Sequence, residues 1–122
     1  GLCPCGSATA YTACCQPWHL GRPAPTAEAL MRSRYTAYVL NLEDYLLRTW
    51  HADTRPVSLD FDQGVPTRWL GLEILRCAST GENTAIVEFV ARYKVNGKAG
   101  KLHELSRFIK MGQNWYYVDG EY

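Results

Sequence analysis

The sequence predicts an α+β fold in which helices cover one face of a curved antiparallel sheet. Three observations lead to this prediction. Four of the five cysteines lie within the first fifteen residues, apolar residues then recur at helical spacing, and the second half of the chain changes to the two-residue period of strands. With 122 residues, the chain has the length of one domain plus a small appendage.

The cysteine cluster consists of Cys3, Cys5 and the adjacent pair Cys14 and Cys15, with the spacing C-x-C-x8-C-C. Thiolates are soft donors that favour zinc, and two short turns bring four of them together as ligands of a structural Zn²⁺ ion. A four-cysteine shell leaves no open position for water, which disfavours catalytic zinc. Two disulfides, or four reduced thiols without metal, are the alternatives. His19 is an alternative ligand in place of Cys15, because imidazole is an equally good zinc donor.

The composition changes at residues 22–25, Arg-Pro-Ala-Pro, which predict a stiff linker. We therefore expect two units, a zinc knuckle at 1–22 and an α+β domain at 23–122. The knuckle is too small to fold alone, so thiolate–zinc bonds would hold it together.

Two helices are predicted after the linker. Thr26 is the expected N-cap of the first helix. Its apolar face is formed by Ala27, Leu30, Met31, Tyr35 and Tyr38. Arg34 lies on the same face, either as an ion-paired arginine at the edge of the core or as a group that points into a cavity. Asn41 is expected to cap the second, shorter helix.

The loop that follows the second helix is rich in groups able to bind or catalyse. It begins Trp50-His51-Ala-Asp53. A histidine two residues from an aspartate suggests an acid/base pair, although Asp53 can equally begin a turn. Loops of this kind often carry function, so Trp50 and His51 are candidate site residues.

Four strands are predicted in the second half, over residues 69–78, 84–95, 102–111 and 115–118. Asn96-Gly97 indicates a hairpin, because both central residues of a type I′ turn need positive φ. The last strands therefore form an antiparallel meander. Cys77 falls in the apolar pattern of the first strand, which predicts a buried small hydrophobic residue without chemistry.

The third strand carries four polar residues whose alternation divides them between the two faces of the sheet. His103 and Arg107 share one face, and Glu104 and Ser106 share the other. The run is therefore unsuited to a catalytic triad, and cross-strand charge pairing is its simplest role. A pocket on one face can still use one of the two pairs.

The charge balance and the hydrophobic pattern exclude several classes of protein. The formal charge is +1, and four thiolates with one Zn²⁺ lower it to about −1. A general nucleic-acid binder would carry a basic excess, so none is expected. No apolar run approaches the roughly 20 residues of a membrane span. The first residues lack the features of a secretory signal, so a cytoplasmic location is expected.

Two sets of residues resemble known families. The segment Cys3-Pro-Cys-Gly-Ser through Cys14-Cys15 resembles the SEC-C motif, the zinc knuckle of the SecA translocation ATPase and of many other bacterial proteins. Position 8 is Ala where that motif usually has Gly. The runs that begin at Ala27, at Thr49-Trp-His and at His103-Glu-Leu-Ser-Arg-Phe resemble the uncharacterised YchJ-like family over nearly the whole chain.

This resemblance implies a nuclear-transport-factor-2-like, or cystatin-like, cone. In such a cone, helices pack on a strongly curved antiparallel sheet around a cavity, in agreement with the order of elements predicted above. Relatives of the cone fold include isomerases and dehydratases, but no catalytic motif of theirs is matched here. Fold alone does not define function.

Two functions follow as hypotheses. The first is an adaptor in which the knuckle is structural and faces a protein partner, as the SEC-C element of SecA does with the export chaperone SecB. The alternative is a small-molecule-binding protein or enzyme that uses the cone cavity. Its candidate pocket residues are Arg34, Tyr38, Trp50, His51, Glu104 and Arg107.

Overall fold

The computed structural model describes residues 1–61 and 64–122. Its elements are a 3₁₀ turn at Tyr11–Ala13, helices α1 (Gln16–His19), α2 (Ala27–Leu40) and α3 (Glu43–Arg48), and strands β1 (Arg68–Ser79), β2 (Thr84–Val95), β3 (Lys98–Met111) and β4 (Asn114–Glu121). The strands form one antiparallel sheet in the order β1-β2-β3-β4. The predicted α+β class and the antiparallel meander are therefore confirmed.

The sheet is made irregular by shifts in strand register. Two extra residues lie in β1, between Trp69 and Gly71 and between Ile74 and Arg76, and a third lies in β4, between Tyr117 and Asp119. Extra residues of this kind bend a strand and increase its twist, which curves the sheet. The β2–β3 hairpin turns at Asn96-Gly97, where both residues have the predicted positive φ, 52° and 76°.

Helix α2 lies across the sheet and begins where the sequence predicts. The side chain of Thr26 accepts a hydrogen bond of 3.0 Å from the N–H of Ala29 and so caps the first turn. The apolar face of α2, including Leu30 and Met31, is buried in the same core as Phe89 of β2. This arrangement places every other residue of β2 and β3 against the helix.

The predicted role of Asn41 is wrong. Asn41 ends α2 in the left-handed conformation, with φ of 58°, and its N–H donates to the carbonyl groups of Ala37 and Tyr38. Leu42 precedes α3 without a side-chain cap. Asparagine tolerates left-handed φ better than most residues, so it suits the end of a helix as well as the start of the next.

The predicted burial of Cys77 is also wrong. Cys77 is exposed, and its thiol lies 3.5 Å from a carboxylate oxygen of Glu28. Strand β1 is an edge strand whose register shift at Ile74 and Arg76 breaks the alternation on which that prediction depended.

The core joins the N-terminal segment to the rest of the protein. Cys3, Cys5 and Cys15 are buried in the same cluster as Leu30 of α2 and Phe108 of β3. Segment 1–22 therefore packs directly on α2. Within the described parts of the chain, no helix is both long and apolar enough to cross a membrane.

Candidate metal centre and aromatic cavity

The four N-terminal cysteines converge on one point. All four Sγ atoms lie within 4.8 Å of one another, and Cys5 and Cys14 are 3.6 Å apart. The sulfur atoms of Cys14 and Cys15 are separated by 4.0 Å. Tetrahedral zinc, with Zn–S bonds of about 2.3 Å, needs sulfur atoms about 3.8 Å apart. The cysteines are therefore positioned to hold one metal ion, and their spacing fits zinc.

Two hydroxyl groups, those of Thr36 and Ser7, contact the sulfur atoms of the cluster. The Thr36 hydroxyl, on α2, donates to the Cys15 sulfur at 3.6 Å and lies 3.6 Å from that of Cys3. The Ser7 hydroxyl lies 3.1 Å from the Cys14 sulfur. Hydrogen bonds of this kind orient metal-binding thiolates and reduce their charge.

The pKa values of Cys5 and Cys15 are shifted in opposite directions. A hydrogen bond from Cys15 lowers the pKa of Cys5 to about 4, although burial opposes the shift. The same bond, together with burial, raises the pKa of Cys15. Cys5 is therefore the more acidic thiol of this pair, and a metal ion would displace the protons of its thiol ligands.

His19 lies beside the cluster, but both of its ring nitrogens have other partners. Nε2 donates to the carbonyl oxygen of Ser33 at 2.8 Å, and Nδ1 therefore accepts from the Tyr11 hydroxyl at 2.7 Å. Burial lowers the pKa of His19, which favours this neutral form. The imidazole links α1 to α2 through its hydrogen bond to Ser33. The four cysteine sulfur atoms would fill a tetrahedral metal shell without His19 as a ligand.

A second feature, a cavity of about 240 Å³, lies between α2 and the inner face of the sheet. Its wall is largely aromatic, with Tyr35 and Tyr38 from α2, Trp69 from β1 and Tyr117 from β4. Tyr35 and Tyr38 both contact the Trp69 ring. The polar residues of the wall are few, and two of them are charged.

Arg34 supplies the positive charge. It is only 3% exposed, and its Nη1 donates to the Leu46 carbonyl oxygen and the Thr49 hydroxyl, both at 2.7 Å. The guanidinium carbon lies 5.0 Å from the ring centre of Trp50 and 4.7 Å from that of Tyr117. Arg34 therefore caps the C-terminal end of α3 with these hydrogen bonds, and its guanidinium makes cation–π contacts with both rings. Burial lowers its pKa.

Glu104 supplies the negative charge and is 6% exposed. Its Oε2 accepts hydrogen bonds from Ser106 at 2.6 Å and from the Tyr117 hydroxyl at 2.9 Å. Burial and the carboxylate raise the pKa of Tyr117, which keeps its hydroxyl protonated as a donor. A Cβ atom at Gly120 would collide with the carboxylate, so this position of β4 requires glycine.

Trp50 reaches the cavity because the loop after α3 pairs with β4. The N–H of Tyr117 donates to the Thr49 carbonyl oxygen, and the N–H of His51 donates to the Tyr117 carbonyl oxygen, both at 2.8 Å. The buried Nε1 of Trp50 has no hydrogen-bond partner among residues 1–61 and 64–122. The same holds for Trp115, which does not line the cavity.

The structure brings together four of the six pocket candidates, namely Arg34, Tyr38, Trp50 and Glu104. The other two lie elsewhere. The Nδ1 of His51 accepts from the N–H of Asp53 at 3.1 Å and lies 3.8 Å from its carboxylate. Arg107 pairs on the outer face of the sheet with Asp119 at 2.6 Å and Glu121 at 3.4 Å.

The alternation of β3 places Ser106 beside Glu104, as the structure does, but other residues of these two regions were not anticipated. Tyr117 could not have been inferred, since its neighbour Tyr116 is also a tyrosine and only the register decides which one faces inward. Thr36 gives no signal in the sequence, because its contact with the cysteines depends on how segment 1–22 packs.

Comparison with known proteins gives a consistent set of relatives. An uncharacterised protein, designated UPF0225, from Bordetella pertussis is 53% identical over 98% of this chain and 91% of its own length. A second UPF0225 protein, from Chromobacterium violaceum, is 56% identical over 97% of this chain and 90% of its own length.

Solved structures give the same result. A SEC-C motif containing protein from Rhodopseudomonas palustris, solved in solution, matches 98% of this chain and 96% of its own with a TM-score of 0.85 and 34% identity. A crystal structure of a SEC-C motif containing protein from Psychrobacter arcticus covers 96% of this chain and 80% of its own, with a TM-score of 0.80 and 32% identity. The family described as the YchJ middle NTF2-like domain matches residues 26–120. The resemblance seen in the sequence is thus confirmed, and the chain belongs to the YchJ-like family.

Proposed function

We propose that the chain is a small-molecule-binding protein whose ligand occupies the aromatic cavity, and that its four cysteines hold a structural zinc ion. One observation carries the proposal. Arg34 and Glu104 are both buried at the wall of one cavity, yet neither forms an ion pair with any residue of 1–61 or 64–122.

Energetic cost supports a functional role for these charges. Burying a charge is unfavourable, and for Arg34 and Glu104 hydrogen bonds and aromatic contacts offset this cost where no ion pair does. Ligand sites commonly combine a mostly apolar wall with a few converging polar groups. The cavity of this protein has that composition.

The proposed role of zinc follows from the closed cysteine set. Cys3, Cys5 and Cys15 are buried, and four sulfur ligands would fill a tetrahedral shell. When bound, zinc supplies a crosslink between two turns that have little apolar surface of their own. The free thiols also suit a reducing compartment such as the bacterial cytoplasm, which we propose as the location.

Metal analysis combined with hydrogen exchange tests the role of zinc. We expect stoichiometric zinc in the purified protein, and chelation should deprotect the amides of 1–22 and of the part of α2 beneath them. The amides of β2 and β3 should remain protected. Retention of all protection after chelation would refute the structural role.

An NMR titration with neutral, anionic and cationic aromatic fragments tests the cavity. Binding should shift the indole N–H signal of Trp50 and leave that of Trp115 in place. Ala91→Leu, which adds bulk at the cavity wall, should abolish the shift. Ala78→Leu is the matched control, because it adds the same side chain to the sheet away from the cavity. A shift that survives Ala91→Leu would contradict the proposal.

A second function, an adaptor that binds a protein through the knuckle, is favoured by two exposed leucines. Leu2 is 69% exposed and Leu20 is 79% exposed. Docking surfaces are contiguous exposed apolar patches, so the adaptor role requires both leucines to contact the same partner. The variant Leu2→Ser/Leu20→Ser should then lose a partner protein that the unchanged chain captures, while it keeps its zinc. Capture that is unaffected by this variant would refute the adaptor role.

A further inference from the structure

The cavity wall contains donors and an acceptor that the protein leaves unused. Within the described ranges, the hydrogen bonds of Arg34 involve only Nη1, which leaves Nε and Nη2 without a partner. Glu104 accepts at Oε2 from Ser106 and Tyr117, and the Tyr122 hydroxyl also interacts with the carboxylate, whose two oxygens retain capacity for a further donor. Because Arg34 and Glu104 both line the cavity, a ligand that hydrogen-bonds to both side chains would gain affinity.

Tyr117 keeps the two charges apart. Its ring lies 4.7 Å from the Arg34 guanidinium carbon, and its hydroxyl donates to Glu104 at 2.9 Å. The cavity wall therefore carries a positive group over the face of the Tyr117 ring and a negative group at its hydroxyl end. Its net charge is zero, so a ligand with a net charge would meet repulsion from one of the two residues.

The volume and the walls limit the size and shape of the ligand. A cavity of roughly 150 Å³ binds benzene, so the 240 Å³ found here suits a molecule of about nine to twelve non-hydrogen atoms. Trp69 and Tyr38 present flat rings, which pack well against a planar aromatic molecule.

We propose, on the basis of the cavity function above, that the ligand is a neutral, planar, mostly apolar molecule with one hydrogen-bond acceptor beside one donor. An aromatic primary carboxamide or lactam has these properties. Its carbonyl oxygen accepts from Arg34, and its N–H donates to the Glu104 carboxylate. A carboxylate in the same position lacks the donor and is repelled by Glu104. An amidinium lacks the acceptor and is repelled by Arg34.

Benzamide, benzoate and benzamidinium test this inference, because they share size and shape and differ in charge. Each is titrated into the zinc-loaded chain while the Trp50 indole signal is followed. We expect benzamide to bind about tenfold or more tightly than either ion. The variant Glu104→Gln keeps the shape of the side chain and gives the cavity a net positive charge, so it should strengthen benzoate binding by about tenfold. Glu88→Gln, on the outer face of the sheet, is the matched control and should change nothing.

The outcomes separate the inference from the proposed function. Equal or tighter binding of benzoate or benzamidinium to the unchanged chain would overturn the inference, but it would still support small-molecule binding in the cavity. No change in benzoate binding on Glu104→Gln would likewise overturn the inference. The absence of a Trp50 shift with all three compounds would overturn both.

Discussion

The cysteine cluster and the aromatic cavity lie on either side of α2, and they differ in how completely their polar groups are satisfied. At the cluster, the sulfur atoms contact one another and the hydroxyls of Ser7 and Thr36. At the cavity, the two charged side chains Arg34 and Glu104 keep unused hydrogen-bonding capacity. A site whose polar groups all have partners stabilises the fold, whereas a ligand gains affinity at a buried site whose polar groups can still form hydrogen bonds. This comparison leads us to assign stability to the first region and binding to the second.

The largest effect is expected from loss of one cluster cysteine. Cys15→Ser removes a buried sulfur that contacts α2, so zinc content should fall from stoichiometric to near zero. The melting temperature should fall by about 10 °C or more, because structural metal contributes folding free energy directly. Metal analysis and thermal denaturation measure both effects. Cys77→Ser is the control and should change neither, while full zinc retention in Cys15→Ser would contradict the assignment.

The next largest effect is expected at the cavity. Arg34→Met removes the hydrogen bonds to Leu46 and Thr49, which should lower the free energy of unfolding by about 1–3 kcal/mol. It should also abolish fragment binding while zinc content stays unchanged. Urea denaturation and NMR titration provide the two readouts. The same change at the outer-face residue, Arg107→Met, should preserve binding. Fragment affinity that survives Arg34→Met would place the binding site elsewhere.

A smaller effect is expected from the hydroxyl that joins α2 to the cluster. Thr36→Val keeps the shape of the side chain but removes the hydrogen bond to Cys15, so zinc affinity should fall about 10- to 100-fold. Competition with a metal chelator measures this affinity. Thr12→Val, an exposed change within the knuckle, should have no effect. Equal affinities for the two variants would show that the hydroxyl does not tune the metal site.

The smallest effect is expected at position 8. Ala8 has φ of 62°, a left-handed conformation that explains why the SEC-C motif usually has glycine there. Ala8→Gly should therefore raise the free energy of unfolding by about 0.5–1 kcal/mol without altering fragment binding. Ala10→Gly, at a residue with φ of −58°, should instead destabilise the protein. A loss of stability in Ala8→Gly would contradict the strain argument.

The two regions also differ in how far the sequence predicts them. The cluster is built from residues 3–15, so spacing alone indicates it. The cavity joins α2, the loop after α3 and all four strands of the sheet, and its composition depends on strand register. Alternation within β3 places Glu104 on the inner face of the sheet and Arg107 on the outer face. Both are nevertheless candidates in the sequence, because each side chain is able to bind a ligand. The burial of Cys77 was mispredicted for a related reason, since a register shift in β1 is invisible in the sequence.

The most direct test of this account is a crystal structure of the zinc-loaded chain grown with benzamide, with anomalous data collected at the zinc edge. We predict one zinc ion held by Cys3, Cys5, Cys14 and Cys15 with no fifth ligand. We also predict benzamide in the cavity, hydrogen-bonded to the Glu104 carboxylate. Benzamide on the metal, or a zinc ion with an open position, would contradict the division between a structural metal and a binding cavity.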